Sequence, residues 1–480
     1  MKSYKSPIKH YRQLGRPVKA TLWYAVSNIA QKGISFLAIP IYIRLLTTTE
    51  YGIYSVFMSW KELLLIFVTL NLYCGIFTKA MVQYDKEKDG FASSMLGLST
   101  TTTVLFFLLF LISPNYWEQM LEMDHYTMMV LFLYFITYPA YTFWAVRQRV
   151  EYNYEKMVFV ALFIAILIPI VSIYLLYATN LRELAIIQGY LGIYIGFGAY
   201  FYLQIIIKGK KFFDKKYWSY ALRFNLPLIP HYLSLIVLGL SDRIMIQKMC
   251  SSAEAGIYSL AYQVSMLMGI FTGAVNNSLV PWLYQKIKVQ DYPSISTVSN
   301  QLILVVGVMT FGVILISPEF IKILGTNEYY GAIWIVPAVA LGVYFSFCYN
   351  LFSSVTFYHN ATHLIMLASV CGALLNVVLN FIFIRLFGYI AAGYTTLLSY
   401  IALMILHYLI MKRVCKINEI SSRVFDVGFI GLVSITLLIL MFLCLYLFKF
   451  TIQRYVFIVI LLLIGLKNRK FLERIFTVLK

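Results

Sequence analysis

Runs of twenty or more predominantly apolar residues recur from one end of this 480-residue chain to the other. A helix needs about 20 such residues to cross the hydrocarbon core of a bilayer, and within that core every backbone N–H and C=O must find its partner inside the segment. The pattern therefore predicts an all-α polytopic membrane protein with about fourteen transmembrane helices and no room for a water-soluble domain. Composition agrees: 61% of residues are hydrophobic and 12% are charged, against about 25% charged in soluble domains.

The formal net charge is +19. The basic residues gather in the connections between apolar runs rather than on a polar domain, so the balance reads as the positive-inside rule and not as nucleic-acid binding. With the N-terminus placed inside, the inner segments hold about 28 Lys and Arg against about seven outside, and Arg147, Arg149, Lys156, Lys208, Lys210 and Lys211 are among the inner set. This orientation puts a multi-pass protein in the cytoplasmic (inner) membrane with both termini cytoplasmic. The six cysteines are scattered, with no CxxC pair and no metal-ligand spacing, so neither a metal nor another cofactor is expected.

The chain repeats itself. Glu50-Tyr51-Gly52-Ile53-Tyr54-Ser55 returns as Glu254-Ala255-Gly256-Ile257-Tyr258-Ser259, and Leu111-Ile112-Ser113-Pro114 returns as Leu315-Ile316-Ser317-Pro318. Both pairs share one offset of about 204 residues, the mark of an internal repeat; after residue 150 the alignment fades. Six helices separate the copies, so both insert the same way up, as a parallel repeat about an axis along the membrane normal. The organisation expected is a basic cytoplasmic tail over 1–21, a six-helix lobe over 22–207, a basic cytoplasmic linker over 208–219, a second six-helix lobe over 220–411, two extra helices over 425–466 and a basic tail over 467–480. The second helix is expected to run unbroken over 51–78 and the seventh over 220–247.

Charged and amide side chains inside the apolar runs are the main chemical signal, since each charge costs about 2.5–3.5 kcal/mol at a helix centre. Asn28, Lys32 and Ser35 form one polar stripe on the first helix. Lys61 and Glu62 lie about 15 Å into the second. On the seventh, His231, Leu238 and Asp242 share a face with Arg243 beside it, and Asn376 and Asn380 stand one turn apart on the eleventh. Each has a plainer reading. Lys61 and Glu62 fit an interhelical structural pair, and Lys32 a counter-charge to Glu62. Asp242 and Arg243 fit a salt bridge near a helix end, His231 a packing residue, and the two asparagines interhelical hydrogen-bonding. Read functionally, Lys32, Lys61, Arg243, Asn28 and His231 are candidates to bind substrate in a cavity, and Glu62 and Asp242 to bind a coupling ion. The tyrosines and tryptophans read mostly as interface belt and packing.

No GxxxxGK[ST], HExxH or GxSxG motif occurs, so an ATP-driven motor, a zinc hydrolase and a serine hydrolase are unsupported. The short outer connections also disfavour an extracytoplasmic catalytic domain.

Two stretches carry a family resemblance: NIAQKGISFLAIPIYIRLLTTTEYGIYS from Asn28 to Ser55, and FNLPLIPHYLSLIVLGLSDRIMIQKMCSSAEAGIYS from Phe224 to Ser259. They resemble the polysaccharide and O-antigen flippase family (Wzx-type) of the multidrug/oligosaccharidyl-lipid/polysaccharide exporter superfamily. The resemblance implies two six-helix lobes around a central cavity, two extra C-terminal helices and alternating access. It also implies an undecaprenyl-diphosphate-linked oligosaccharide as substrate, a proton or sodium ion as coupling partner, and a polysaccharide polymerase with chain-length machinery downstream. Basic residues on the early helices of each lobe would meet the diphosphate, with Lys32, Lys61 and Arg243 the matches by helix. The alternatives that stay open are a drug or small-molecule cation antiporter of the same superfamily and a membrane glycan polymerase.

Overall fold

The computed structural model describes residues 15–74, 76–180, 182–420 and 424–467. Most of the basic tails, with Lys2, Lys5, Lys9, Arg12, Arg469, Lys470, Arg474 and Lys480, and the inner-side Arg423, lie outside the described residues. The described chain is helical, with no strand among the described residues. In order the helices are α1 (Arg16–Leu45), α2 (Thr48–Thr69), α3 (Ile76–Gln83), α4 (Lys88–Ile112), α5 (Pro114–Leu121), α6 (His125–Val150), α7 (Tyr154–Ala178), α8 (Arg182–Gly209), α9 (Lys215–Asn225), α10 (Ile229–Met249), α11 (Ser252–Lys288), α12 (Tyr292–Leu315), α13 (Ser317–Leu324), α14 (Val336–Tyr358), α15 (Thr362–Phe387), α16 (Ala391–Ile417), α17 (Val427–Leu447) and α18 (Thr451–Lys467). Twelve helical segments, with α9 and α10 taken as one, are long and apolar enough to cross a membrane. The more polar 30-residue α1 and the shorter α18 accompany them.

Local chemistry sets the helix starts. Thr47 and Glu50 form a reciprocal capping box, with Thr47 N–H donating to Glu50 Oε2 at 2.7 Å and Glu50 N–H to Thr47 Oγ1 at 3.2 Å. The second copy repeats the device, Ser251 Oγ accepting from Glu254 N–H at 3.2 Å and donating to its carboxylate at 2.8 Å. Asp124, Asp214, Asp291 and Asp426 cap α6, α9, α12 and α17 more simply, each carboxylate accepting from a backbone N–H of the first turn. Ser-Pro then starts each of the short helices α5 and α13, with proline where its missing N–H costs nothing.

By contact the chain forms two units. The first runs to Leu46 and then from Val56 to Leu233; the second takes Thr47–Ser55 and everything from Ser234 onward. In the first, α8 packs on α4, α6 and α7, and α1 packs on α7. In the second, α14 is the core helix, with 83% of its most apolar window buried, held by α11, α12 and α16. The final pair of helices belongs to this unit. Val433 and Leu437 of α17 close over Gly307 of α12, Tyr344 and Ser434 hydroxyls meet at 3.3 Å, and Arg454 of α18 pairs with Glu319 of α13.

Helix starts carry the repeat beyond the matched hexapeptides. α4 and α12 start about 204 residues apart, whereas α7 and α15, and α8 and α16, start about 208 apart. The drift enters where the second copy inserts a 3-10 segment, Asn327–Trp334, between α13 and α14. That insertion is why the repeat fades in the sequence after residue 150.

Two expected helices are broken. The one predicted over 51–78 stops at Thr69. Leu70 and Asn71 both take left-handed φ values, 54° and 50°, and the chain restarts as α3. Asn225, fully buried, holds the break: its Nδ2 donates to the Leu70 and Asn71 carbonyls, 3.0 Å each. The helix predicted over 220–247 is itself interrupted by the 3-10 turn Leu226–Leu228, at Pro227.

Candidate functional site

In the first unit the polar centre is Lys61. It sits 13 residues into α2, about 20 Å along the helix, with no exposed surface. Its ammonium donates to the Tyr190 hydroxyl of α8 at 2.8 Å and meets its neighbour Glu62 at 2.9 Å. It also lies 4.3 Å from the centroid of the Tyr190 ring and 5.6 Å from that of Tyr134, where the ring quadrupoles favour a cation. The glutamate side chain is 40% exposed, so the pair has one sealed and one open end.

Around it stands a cluster of tyrosines. Tyr134, Tyr138 and Tyr141 follow one face of α6; Tyr190 and Tyr194 follow one face of α8. Tyr134 and Tyr138 stack at 4.8 Å, Tyr190 and Tyr194 are 4.9 Å apart, and Tyr138 meets Tyr194 edge-on at 5.3 Å. The file continues through Tyr141 and Trp144 to Phe201. Tyr134 is buried, while Tyr138, Tyr141, Tyr190 and Tyr194 are half-buried. The result is an amphipathic aromatic surface beside the open end of Glu62.

The second unit buries a carboxylate instead. Asp242 of α10 has no exposed surface. Its Oδ1 accepts from Asn380 Nδ2 of α15 at 2.6 Å; its Oδ2 accepts from Thr396 Oγ1 of α16 at 2.8 Å and from the Tyr258 hydroxyl of α11. Asn376 links the set, accepting from Asn380 at 3.2 Å and donating to Thr396 at 3.2 Å, while Thr395 donates to Asn380 Oδ1. Arg243 points elsewhere, to Ser259 Oγ at 3.2 Å, the Gly239 carbonyl at 3.1 Å and the face of Tyr262 at 4.4 Å. Four helices thus converge on one buried carboxyl group, which three neutral donors reach, with a cation one residue away.

The predicted site residues are divided between the two units. Lys61 and Glu62 pair with each other, side by side in sequence; Asp242 and Arg243 are buried together but bind different partners. Lys32 and Asn28 of α1 are exposed, and Lys32 makes no ion pair with another described residue. His231 is half-buried in the first unit, beside Tyr232. No group of three or more His, Cys, Asp or Glu residues able to hold a metal occurs among the described residues.

Against known proteins, the model of the polysaccharide biosynthesis protein family matches residues 18–287, more than half of the chain. The chain belongs to this family. A relative from Haemophilus influenzae, described as an uncharacterized membrane protein, is 23% identical over 373 residues, 75% of this chain and 88% of its own. A second from the same organism, Lsg locus putative protein 1, is 27% identical over 277 residues, 56% of this chain and 66% of its own. Among solved structures, the family member's fold is similar to that of the lipid II flippase MurJ in an inward closed conformation, with TM-score 0.66 and 17% identity, over 95% of this chain and all of that one. It is also similar to an inward-facing multidrug resistance MATE transporter of the MOP superfamily, with TM-score 0.60 and 11% identity, over 81% of this chain and 96% of that one. The fold is the MOP transporter fold, and the chain is a multi-pass membrane protein.

Sequence reasoning about this polysaccharide biosynthesis protein missed the tyrosines as a group. The spacing 134, 138, 141 and 190, 194 is legible as two helical faces, but nothing in the sequence says that they face each other and Lys61 rather than the interfacial belt. It likewise missed Tyr258 and Thr396 as partners of Asp242, although Tyr258 lies inside the repeated hexapeptide.

Proposed function

We propose that this family member is a flippase, a transporter and not an enzyme. It moves a lipid-diphosphate-linked oligosaccharide repeat unit, with an undecaprenyl-type tail, across the cytoplasmic membrane by alternating access, for O-antigen or capsule polysaccharide. The observation that carries the reading is the half-buried tyrosine surface beside Glu62, deep along helices otherwise built for lipid. Sugar rings present apolar C–H faces edged with hydroxyls, and tyrosine offers the matching combination of ring and polar tip. A drug-binding surface would not need so many hydroxyls.

The diphosphate falls to Lys32, an exposed cation without an ion-pair partner among the described residues, with Asn28 one turn away. Lys61, Arg243 and His231 are the further candidates. Lys61 reaches a ligand only by releasing Tyr190 and Glu62, so it serves the aromatic surface first. Asp242 is the stronger coupling-ion candidate: its carboxylate and the side-chain oxygens of Asn376, Asn380, Thr395 and Thr396 form a donor set suited to sodium, or the carboxylate takes a proton. Glu62 is the second candidate. Both termini face the cytoplasm in this reading, and a polymerase with chain-length machinery receives the product.

Deletion of the gene tests the reading. Loss of surface glycan with build-up of the lipid-linked repeat unit in the inner leaflet is expected; surface glycan at its normal level would overturn it.

A further inference from the structure

The first unit encloses a cavity of about 460 Å³ where α4 and α7 begin and α6 and α8 end. That volume lies in the range of small-molecule sites, about 300–1,000 Å³. The helix ends around it carry the basic residues that define the inner side of the chain, so the cavity sits at headgroup level.

Its walls divide by chemistry. Arg147 is already occupied, pairing with Asp89 and, at 2.8 Å, with Glu151. Lys156 of α7 and Lys208 of α8 also line the cavity, are exposed, and make no ion pair with a described residue. Gln204, one turn before Lys208, adds an amide to the same face. The floor is apolar, Trp144 stacked on Phe201 at 4.2 Å. Phe159 and Tyr200 line the cavity and are yet 68% and 62% exposed. The mouth therefore continues into an apolar surface, with Phe163 43% exposed below Phe159, and Leu203 and Ile207 61% and 66% exposed beside Tyr200.

Three cations line the cavity against two carboxylates, Asp89 and Glu151, both held by Arg147; the two ammonium groups left without an ion pair, above an aromatic floor and open to an exposed apolar surface, match one ligand chemistry. We infer that this cavity binds the phosphate-bearing headgroup of a lipid in the inner leaflet, with Lys156 and Lys208 on the phosphate and the tail along Phe159, Phe163 and Tyr200. Basic pockets between transmembrane helices on the cytoplasmic side bind such headgroups. Two sources share that chemistry: an anionic glycerophospholipid of the bilayer, and a polyprenyl diphosphate. Its floor is the far end of the aromatic file, but none of the charged residues assigned to transport above lines it, and the inference rests on that reading only for which membrane face is inner.

The test uses the full-length chain purified in detergent. Native mass spectrometry follows retention of added phosphatidylglycerol, with phosphatidylcholine as the neutral control, in wild type, K156Q/K208Q and K156R/K208R. Wild type and the arginine variant should retain phosphatidylglycerol, and the glutamine variant should bind it about tenfold more weakly or worse. Competition with undecaprenyl diphosphate then separates the sources: displacement at equal concentration points to the polyprenyl lipid, and persistence to the glycerophospholipid. Equal retention by wild type and K156Q/K208Q, at unchanged melting temperature, overturns the inference. If the double variant melts early, K156Q and K208Q are read singly, and unchanged retention in both overturns it equally. Surface-glycan export, measured separately, reports on the flippase reading and not on this one.

Discussion

Lys61 donates to the Tyr190 hydroxyl at 2.8 Å while its other side meets Glu62, so one buried ammonium ties α2 to α8 and fixes the ring that heads the tyrosine file. Removing the amine and keeping the stem, Lys61→Met, leaves Glu62 without its counter-charge and Tyr190 without its donor. Because Glu62 is partly exposed, water offsets part of that loss, and destabilisation of about 1–3 kcal/mol is expected rather than the full cost of breaking a sealed pair. Adding Glu62→Gln should restore part of the stability. Thermal melting of the three variants in detergent checks it: equal melting of the single and double variants would show that the pair is not coupled.

Asp242 accepts from three side chains on three other helices. Asp242→Ala strands those donors, each costing about 1–3 kcal/mol when left unsatisfied in a buried site, and should abolish accumulation of folded protein. Asp242→Asn keeps the shape and loses the charge. That variant is expected to accumulate in the membrane yet lose export and any sodium-dependent rise in melting temperature. An Asp242→Asn chain exporting at the normal rate would remove Asp242 from coupling.

How much was legible beforehand divides along physical lines. The number of spans and the double hexapeptide rest on hydropathy and period, which are properties of the chain itself. The break after Thr69 was not legible, because its cause lies about 155 residues away in Asn225, and Thr69-Leu70-Asn71-Leu72 holds neither proline nor glycine to mark it. The sequence offers Lys61 and Glu62 as a structural pair between helices; that they meet each other on one helix escaped for a related reason. Neighbours on a helix diverge by about 100°, and only the burial of Lys61 against Tyr190 and Tyr134 turns a long, flexible side chain back onto its neighbour. Asp242 was found by its charge alone; Tyr258 and Thr396 carry no charge to betray them.

Asn225 gives a test of the broken second helix. Its amide satisfies two carbonyls freed by consecutive left-handed residues, a conformation that Asn71 tolerates but Leu70 does not favour on its own. Asn225→Leu fills similar space without the donors and should cost about 2–4 kcal/mol, two buried carbonyls at about 1–2 each. Hydrogen exchange should then rise around 70–76 and stay unchanged in α14. Uniform protection in both regions would show that Asn225 is not the pin.

Gly52 of α2 and Gly256 of α11 lie at matching positions of the repeat, just inside the two capping boxes, and they pack on one another. A Cβ at Gly52 would overlap the Ser252 carbonyl, and a Cβ at Gly256 would press on the Thr48 carbonyl and come within 3.1 Å of the Gly52 nitrogen. The obstacles are backbone, which cannot turn aside, so alanine at either position must push two helices apart. Gly52→Ala and Gly256→Ala should each cost about 1–3 kcal/mol as overpacking. The double variant should cost less than the two together, since one separation accommodates both methyls. Gly196 of α8 is the control: a Cβ there meets nothing within 4 Å, so Gly196→Ala should be neutral or stabilise by up to about 1 kcal/mol through helix propensity alone. If Gly52→Ala melts like Gly196→Ala, the close crossing of α2 and α11 is not what holds these helix starts together.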